Sequence, residues 1–233
     1  MSDFKIFVGL DPSFKGFGVC ILRKHLDNKI DCFISQLEPP ILQKTFTGYC
    51  KAAFDLAEKA LDKLDEAFFW EEKQVNILEA EISVIAEHPP TGGGKGAMMS
   101  SPLWALGAIT WLAFFDDIKY IAIYPMKASL IAGLPTRGIG RGDRKRATKA
   151  YATRILQDAK YNVNFRDKWI GDINNLRKKP KRKGELGELK AFKMSDNEAE
   201  AFIYACLALY QEHPELVPIE DSKYWHLDPI NPD

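Results

Sequence analysis

The sequence predicts an α/β fold in a single domain over residues 1–233, and three observations support this prediction. Short apolar runs rich in β-branched residues, which are typical of buried strands, recur along the chain. Between them lie longer stretches in which apolar residues recur every three or four positions, as they do in amphipathic helices. The chain has 233 residues, of which 46% are hydrophobic, and this is enough for one sizeable core.

Five short apolar segments are predicted to be strands. The first two, residues 6–10 and 18–22, flank the turn-forming residues Asp11, Pro12 and Ser13, and this arrangement indicates a hairpin. The other three strands are predicted at residues 31–37, 82–87 and 120–125.

Longer segments between and after these strands are predicted to be helices. Each shows helical periodicity or begins with residues suited to a helix start, such as Ser101 followed by Pro102, or Ser195. The predicted helices span residues 49–74, 101–114, 126–130, 143–151 and 195–210, of which the last is apolar on most sides and therefore expected to be buried.

The cysteines and the apolar runs bear on the location of the protein. Cys20, Cys32, Cys50 and Cys206 form no Cys-X-X-Cys pair, and we expect them to be reduced. The N-terminus has no charged-then-apolar leader, and no apolar run reaches membrane-spanning length. The expectation is a soluble cytoplasmic protein without a membrane partner.

Positive charge is concentrated in one part of the chain, although the formal net charge is zero. Residues 127–193, the basic segment, hold 19 Lys and Arg against 6 Asp and Glu. Such segregation is typical of a polyanion-binding face, and a solvated helix surface with a basic loop is the alternative. Residues 160–193 show little periodicity, and we expect an insertion there that is disordered without nucleic acid.

Several basic residues are predicted to contact phosphates. Residues 91–101 form a glycine-rich stretch, but Gly96 follows Lys95, so the Gly-Lys-Ser/Thr order of a nucleotide-binding loop is absent. This stretch could still meet a nucleic-acid backbone, as could the start of the predicted basic helix. The predicted nucleic-acid-binding residues are Lys95, Lys127, Arg141, Arg144, Lys145, Arg146 and Lys149.

Carboxylates stand at the ends of two predicted strands. Asp11 follows the first strand, and Glu87 closes the fourth. A rigid strand fixes such a side chain while the adjoining turn leaves its oxygens open, an arrangement suited to metal or phosphate chemistry. Alternatively, Asp11 is only a turn residue and Glu87 only a surface charge. Either residue taken alone leaves both interpretations open.

The first turn of the last predicted helix supplies further carboxylates. Asp196 and Glu200 lie one turn apart on one face, whereas Glu198 points elsewhere. Acidic residues there also complement the helix dipole, which is a purely structural explanation. Together with Asp11 and Glu87, they could hold two divalent cations, Mg²⁺ or Mn²⁺, of the kind that promotes phosphodiester cleavage.

The order of these motifs resembles the RuvC family of Holliday-junction resolvases, within the ribonuclease H-like superfamily. The matching pieces are Gly-Leu-Asp-Pro-Ser at 9–13, Gly-Phe-Gly-Val at 16–19, Ile-Ala-Glu at 85–87, the helix at 103–109, Tyr-Pro-Met-Lys at 124–127 followed by 138–149, and residues 196–205. The resemblance implies a ribonuclease H-like fold with a five-stranded mixed sheet flanked by helices. It also implies a homodimer that makes Mg²⁺-dependent paired nicks across four-way DNA junctions.

The same resemblance implies roles for individual residues. Asp11 and Glu87 match the family's first two acidic positions, and Lys127 and Lys145 fall near its DNA-contacting lysines. The predicted catalytic, metal-binding set is Asp11, Glu87, Asp196 and Glu200.

The last helix departs from the family pattern. The family usually has an acidic residue or His three positions before a final Asp, whereas this chain has Asn197 and Glu200. We predict Glu200 as the last ligand and Asp196 as its companion, with Asn197 and Glu198 in reserve. The long basic stretch before this helix resembles phage-encoded relatives, which act in the cytoplasm of a bacterial host.

Other functions fit parts of the sequence. A nuclease of the same fold could act on flaps, other branched DNA or RNA, and the irregular last motif is compatible with a non-catalytic junction-binding protein. Actin-like and sugar-kinase ATPases also open with a strand, an Asp and a Gly-bearing hairpin. They need a second nucleotide-binding half, for which 233 residues leave little room.

Overall fold

The computed structural model describes residues 4–38, 40–69, 80–88, 95–115, 118–131, 134, 140–157 and 194–217. The predicted insertion at 160–193 lies outside these ranges, as do residues 91–94 of the glycine-rich stretch and residues 70–74 of the first predicted helix.

The described strands form one mixed sheet in the order β3-β2-β1-β4-β5. Strands β1 (Phe4–Asp11), β2 (Phe17–His25) and β3 (Ile30–Leu37) are antiparallel neighbours. Strands β4 (Glu81–Glu87) and β5 (Ile118–Ile123) run parallel to β1, with β4 beside it. The five-stranded mixed sheet is therefore confirmed, and every strand overlaps its predicted segment.

Helices cover both faces of this sheet. On one face, α1 (Phe46–Phe69) and α2 (Lys95–Phe114) enclose a core with one set of strand residues. On the other face lies α5 (Asp196–Glu212), against which α3 (Pro125–Ile131) and α4 (Arg141–Gln157) pack. Because successive strand residues alternate between faces, Leu10 belongs to the α1 side and Phe7 to the α5 side.

The start of α2 differs from the prediction. The sequence indicated a loop up to Ser101 and a helix beginning with Pro102, whereas the helix begins at Lys95 and encloses Pro102. A proline inside a helix removes one backbone hydrogen bond and crowds the carbonyl four residues earlier. The helix nevertheless continues through Pro102, because Ala97 and Met98 favour helix and Leu103 and Trp111 bury α2 in the core that it shares with α1. A residue suited to a helix start was therefore mistaken for the start itself.

Two glycines set how closely α5 approaches the sheet. A Cβ placed on Gly9 would collide with the backbone of Ala201 and Ala205, and one placed on Gly18 would collide with the backbone of Asn197. Neither strand position can therefore carry a side chain while α5 stays where it is. The first turns of α5 consequently lie directly over β1 and β2.

The beginning of α5 is fixed by a capping box. The Ser195 hydroxyl accepts a hydrogen bond from the backbone N–H of Glu198, and the Glu198 carboxylate accepts one from the backbone N–H of Ser195 at 2.6 Å. The predicted N-cap is confirmed, and the Glu198 carboxylate is engaged at this cap. From Ala201 to Leu209 the helix is buried, also as predicted.

Among the described helices, none combines the length and the apolar character needed to cross a bilayer.

Candidate metal centre

Two carboxylates meet at one edge of the sheet because their strands are parallel neighbours. Asp11 is the last residue of β1, Glu87 is the last residue of β4, and the preceding residues Leu10 and Ala86 are paired. Residues two positions earlier, Gly9 and Ile85, lie on the face covered by α5. Asp11 and Glu87 therefore leave the sheet together beneath α5.

Helix α5 adds a third carboxylate to this pair. One carboxylate oxygen from each of Asp11, Glu87 and Glu200 lies within 4.8 Å of the others. The close packing of α5 over Gly9 and Gly18 brings the second turn of the helix, and Glu200 with it, to the strand ends. Three residues predicted as metal ligands are thus brought together from distant parts of the chain.

The electrostatics of this group favour uptake of a cation. Asp11 is only 3% exposed, and burial raises the pKa of its carboxyl well above the ordinary value. The neighbouring carboxyls of Glu87 and Glu200 raise that pKa further. Burial, followed by the charge of Glu87, likewise raises the pKa of Glu200. Like charges this close are stable only with a shared proton or a cation between them.

The donor set suits a hard divalent cation. Carboxylate oxygens are the ligands that Mg²⁺ and Mn²⁺ prefer, and three separate side chains leave room for water and substrate oxygens. Asp11, Glu87 and Glu200, hereafter the carboxylate centre, could therefore hold such an ion.

Asp196, the fourth predicted ligand, lies outside this group of three. Its Oδ2 accepts a hydrogen bond from Lys145 at 2.8 Å, and its Oδ1 lies 2.5 Å from the Lys149 ammonium. These two contacts lower the pKa of the Asp196 carboxyl. The carboxylate is therefore occupied by two cations of the chain itself.

Asn197 occupies the position that holds an acidic residue or His in the RuvC-family pattern described above. Its side-chain nitrogen lies next to Gly16, together with the amide of Gln36 from β3. The Asn197 amide is thus directed towards the β1–β2 turn and the end of β3.

The predicted phosphate contacts are distributed unevenly. Lys145 and Arg144 lie near enough to Glu200 to oppose the rise in its pKa, and Lys145 does the same for Asp11. Arg146 is exposed and pairs with Asp143 on the same helix. Lys127 is exposed on α3, and Lys149 is bound to Asp196. Lys95 lies in α2 and Arg141 in α4, and the structure does not describe their side chains.

Sequence reasoning missed one side chain beside the carboxylate centre. Tyr204 lies one turn after Glu200, and burial raises the pKa of its phenol well above the ordinary value, with the charges of Glu87 and Asp11 adding to the rise. It also lines a small pocket with Arg144, Thr148 and Glu200. The four-residue spacing from Glu200 was the available signal, but a buried tyrosine in an apolar helix is usually core.

No protein-family model and no curated protein sequence matches the chain. Among solved structures, RuvC of Thermus thermophilus in complex with Holliday junction substrate is similar, with a TM-score of 0.49 and 9% identity over 89% of this chain and 96% of that one. The yeast mitochondrial Holliday junction resolvase has a TM-score of 0.38 and 15% identity over 85% and 75% of the two chains. The human cytomegalovirus terminase nuclease domain has a TM-score of 0.38 and 12% identity over 73% and 67%. The chemistry of this chain must be argued from its own residues.

Proposed function

We propose that this protein is a metal-dependent endonuclease that resolves four-way DNA junctions by paired nicks. The observation that carries the proposal is the carboxylate centre, which faces the basic helix α4. Carboxylates alone would repel a phosphate backbone, whereas carboxylates with bound cations and adjoining Lys and Arg side chains attract it. The sequence resemblance to the RuvC family supplies the four-way junction as substrate.

Asp11, Glu87 and Glu200 are the proposed ligands of two Mg²⁺ ions, for which Mn²⁺ should substitute. When bound, such ions activate a water and stabilise the leaving oxygen of the scissile phosphodiester. Asp11 is buried between β4, which carries Glu87, and α5, which carries Glu200. It is therefore the proposed ligand that both ions would share. The buried setting holds these side chains in place before substrate arrives.

The basic residues are proposed to bind and orient the DNA. Lys145 and Arg144 stand beside the carboxylate centre and would hold the phosphates nearest the cut. Lys149, one turn further along α4, would act beside Lys145. The contacts farther out would come from Lys95, Lys127, Arg141 and Arg146. The long basic stretch before α5 also favours a phage-type member of the family.

A homodimer is part of the proposal, because paired nicks on opposing strands need two centres. The helix α2 supports it with exposed apolar side chains: Ile109 and Leu112, one turn apart, are 60% and 52% exposed, and Phe114 at the end of the helix is 60% exposed. Apolar side chains this exposed on one helix are typical of an interaction surface. A second copy of the chain, docked through α2, would cover them.

The test is cleavage of matched four-way, flap and linear duplex DNAs, and of an RNA duplex, in Mg²⁺ and in EDTA. The parent protein is compared with Asp11→Asn and with Glu58→Gln, an exposed carboxylate on α1 across the sheet. We expect symmetric Mg²⁺-dependent nicks on the four-way DNA, reduced about a thousandfold or more by Asp11→Asn and unchanged by Glu58→Gln. DNA affinity should survive in Asp11→Asn because it depends on the basic residues.

Each other outcome points to a different function. Preferred cutting of flaps or RNA would keep the nuclease and change its substrate. Tight junction binding without any cut would favour the non-catalytic binding protein, which the Asn197 position makes the second candidate. Sedimentation of the same samples, with Leu112→Glu as the interface variant, would test the dimer: a monomeric parent would contradict it.

A further inference from the structure

The Asp196 carboxylate forms ion pairs with two lysines of the neighbouring helix α4. Lys145 and Lys149 lie one turn apart on α4, and each takes a different oxygen of the Asp196 carboxylate. The two ammonium groups of the chain itself already neutralise the Asp196 carboxylate, and Asp196 is not among the three carboxylates gathered at Asp11. Its side chain is 32% exposed, so it stands at the mouth of the carboxylate centre, in contrast to the buried Asp11.

One of these lysines also interacts with the carboxylate centre. The charge of Lys145 opposes the rise in the pKa of both Asp11 and Glu200, so its ammonium lies within electrostatic reach of two proposed metal ligands. A lysine side chain has four rotatable carbons and would otherwise sample many positions. The bond to Asp196 restricts the Lys145 ammonium to the space beside the carboxylate centre.

If the ion pairs of Asp196 served only to stabilise the fold, their contribution would be small. Ion pairs between side chains that are about a third exposed contribute about 1 kcal/mol or less to folding. Helices α4 and α5 are held together by buried apolar contacts, among them Ala152 and Ile155 with the α5 core. The ion pairs at Asp196 are therefore dispensable for docking the two helices, and their more consequential effect is to place the lysines.

We propose that Asp196 is a positioning residue rather than a metal ligand: it holds Lys145 and Lys149 at the edge of the carboxylate centre, where they meet the DNA phosphates next to the cut. The inference rests on the proposed nuclease function and assigns the fourth predicted carboxylate a different role within it. The resulting centre has three carboxylate ligands, and its two positioned lysines bind the substrate.

The first test measures metal binding without DNA, by calorimetric titration of Mn²⁺ into the parent, Asp196→Asn and Glu200→Gln. A positioning residue predicts that Asp196→Asn binds Mn²⁺ within about threefold of the parent, whereas Glu200→Gln, lacking a ligand, is weakened about tenfold or more. Equal weakening in both variants would overturn the proposal. This readout stands even if the parent cuts none of the DNAs, in which case the proposed function fails separately.

The second test asks whether Asp196 acts through Lys145. Single-turnover cleavage of the four-way junction, at saturating DNA and Mg²⁺, should be about tenfold slower in Asp196→Asn, because a misplaced contact costs rate more than affinity. In a Lys145→Met background, the same Asp196→Asn change should cost clearly less than tenfold, and Asp196→Glu should restore part of the rate. A full tenfold further loss in the Lys145→Met background would show that Asp196 acts independently of Lys145 and would overturn the proposal.

Discussion

The carboxylates at the two ends of α5 lie in opposite electrostatic environments. At the C-terminal end, Glu212 is surrounded by donors: Lys5 at 3.3 Å, Lys119 at 3.0 Å and the Ser83 hydroxyl at 2.9 Å. These hydrogen bonds outweigh burial and lower the pKa of the Glu212 carboxyl. At the N-terminal end, Glu200 meets two other carboxyls, and burial together with the charge of Glu87 raises the pKa of its carboxyl instead.

The difference separates a structural carboxylate, Glu212, from a candidate metal site, although both lie on the same helix and against the same sheet. Glu212 is neutralised by side chains of the chain itself, so that end is complete as folded. Asp11, Glu87 and Glu200 concentrate negative charge, which costs folding free energy until an external cation binds. This contrast, more than the number of acidic residues, distinguishes the end of the helix that carries the candidate metal centre.

The largest expected effect comes from separating α5 from the sheet. Gly9→Ala would press a methyl group into the backbone of Ala201 and Ala205, and should lower the free energy of unfolding by about 3 kcal/mol. Both ends of the helix would shift, so metal binding should also weaken. Urea unfolding followed by circular dichroism measures the loss.

The matched control is another glycine with open space around it. A Cβ on Gly107, inside α2, meets no atom within 4 Å. Gly107→Ala should therefore raise stability by up to about 1 kcal/mol, because alanine favours helix. Equal losses in both variants would mean that steric contact with α5 is not the cause.

A smaller effect, of opposite sign at the two ends, is expected from removing one charge. In EDTA at pH 7, Glu200→Gln should raise the free energy of unfolding by about 1 kcal/mol, because it relieves repulsion among buried carboxylates. Glu212→Gln should lower it by about 1 kcal/mol, because charged hydrogen bonds to Ser83 and the two lysines are weakened. The same sign in both variants, measured by urea unfolding, would refute the contrast.

The smallest expected effect is in the dependence of stability on pH. Folding raises the pKa of the Asp11 carboxyl. The contribution of Asp11 to the free energy of unfolding is therefore fully present below about pH 4, where the carboxyl is protonated even in the unfolded chain, and is lost as pH rises through its raised pKa in the folded protein. Metal-free parent protein should therefore lose stability as pH rises above about 4, and Asp11→Asn should lose less. Glu212, whose pKa is lowered, contributes stability that is present above about pH 4 and lost as pH falls further. An identical pH profile for the parent and Asp11→Asn would contradict the assigned cause.

Local sequence patterns were sufficient for most elements of the fold. Strands showed their apolar runs, and Ser195 showed the start of α5, because these signals arise within a few neighbouring residues. Asp11 and Glu87 were predicted as ligands because each stands at the end of a predicted strand. The structure adds the reason why they meet: β1 and β4 are parallel neighbours, so their carboxyl ends lie at one edge of the sheet. The predicted start of α2 was wrong because Pro102 is tolerated within a helix that its neighbours favour.

Contacts between distant segments could not be read from such patterns. The Asp196 ion pairs join α4 to α5 through side chains 51 and 47 residues apart, and no local periodicity indicates them. The close approach of α5 to Gly9 and Gly18 depends on tertiary packing, although glycines inside predicted strands are a known sign of it. The sequence therefore indicated the residues of the centre better than their partners.

The position of Glu200 on the last described α-helix has a consequence for biosynthesis. A nascent chain that has emerged only through β5 contains Asp11 and Glu87 but cannot yet form the carboxylate centre. The long-range closure of α5 over β1 completes the centre, and contacts this distant in the sequence form late in folding. Under the proposed nuclease function, a ribosome-bound chain is therefore expected to leave surrounding nucleic acids uncut until synthesis has passed α5.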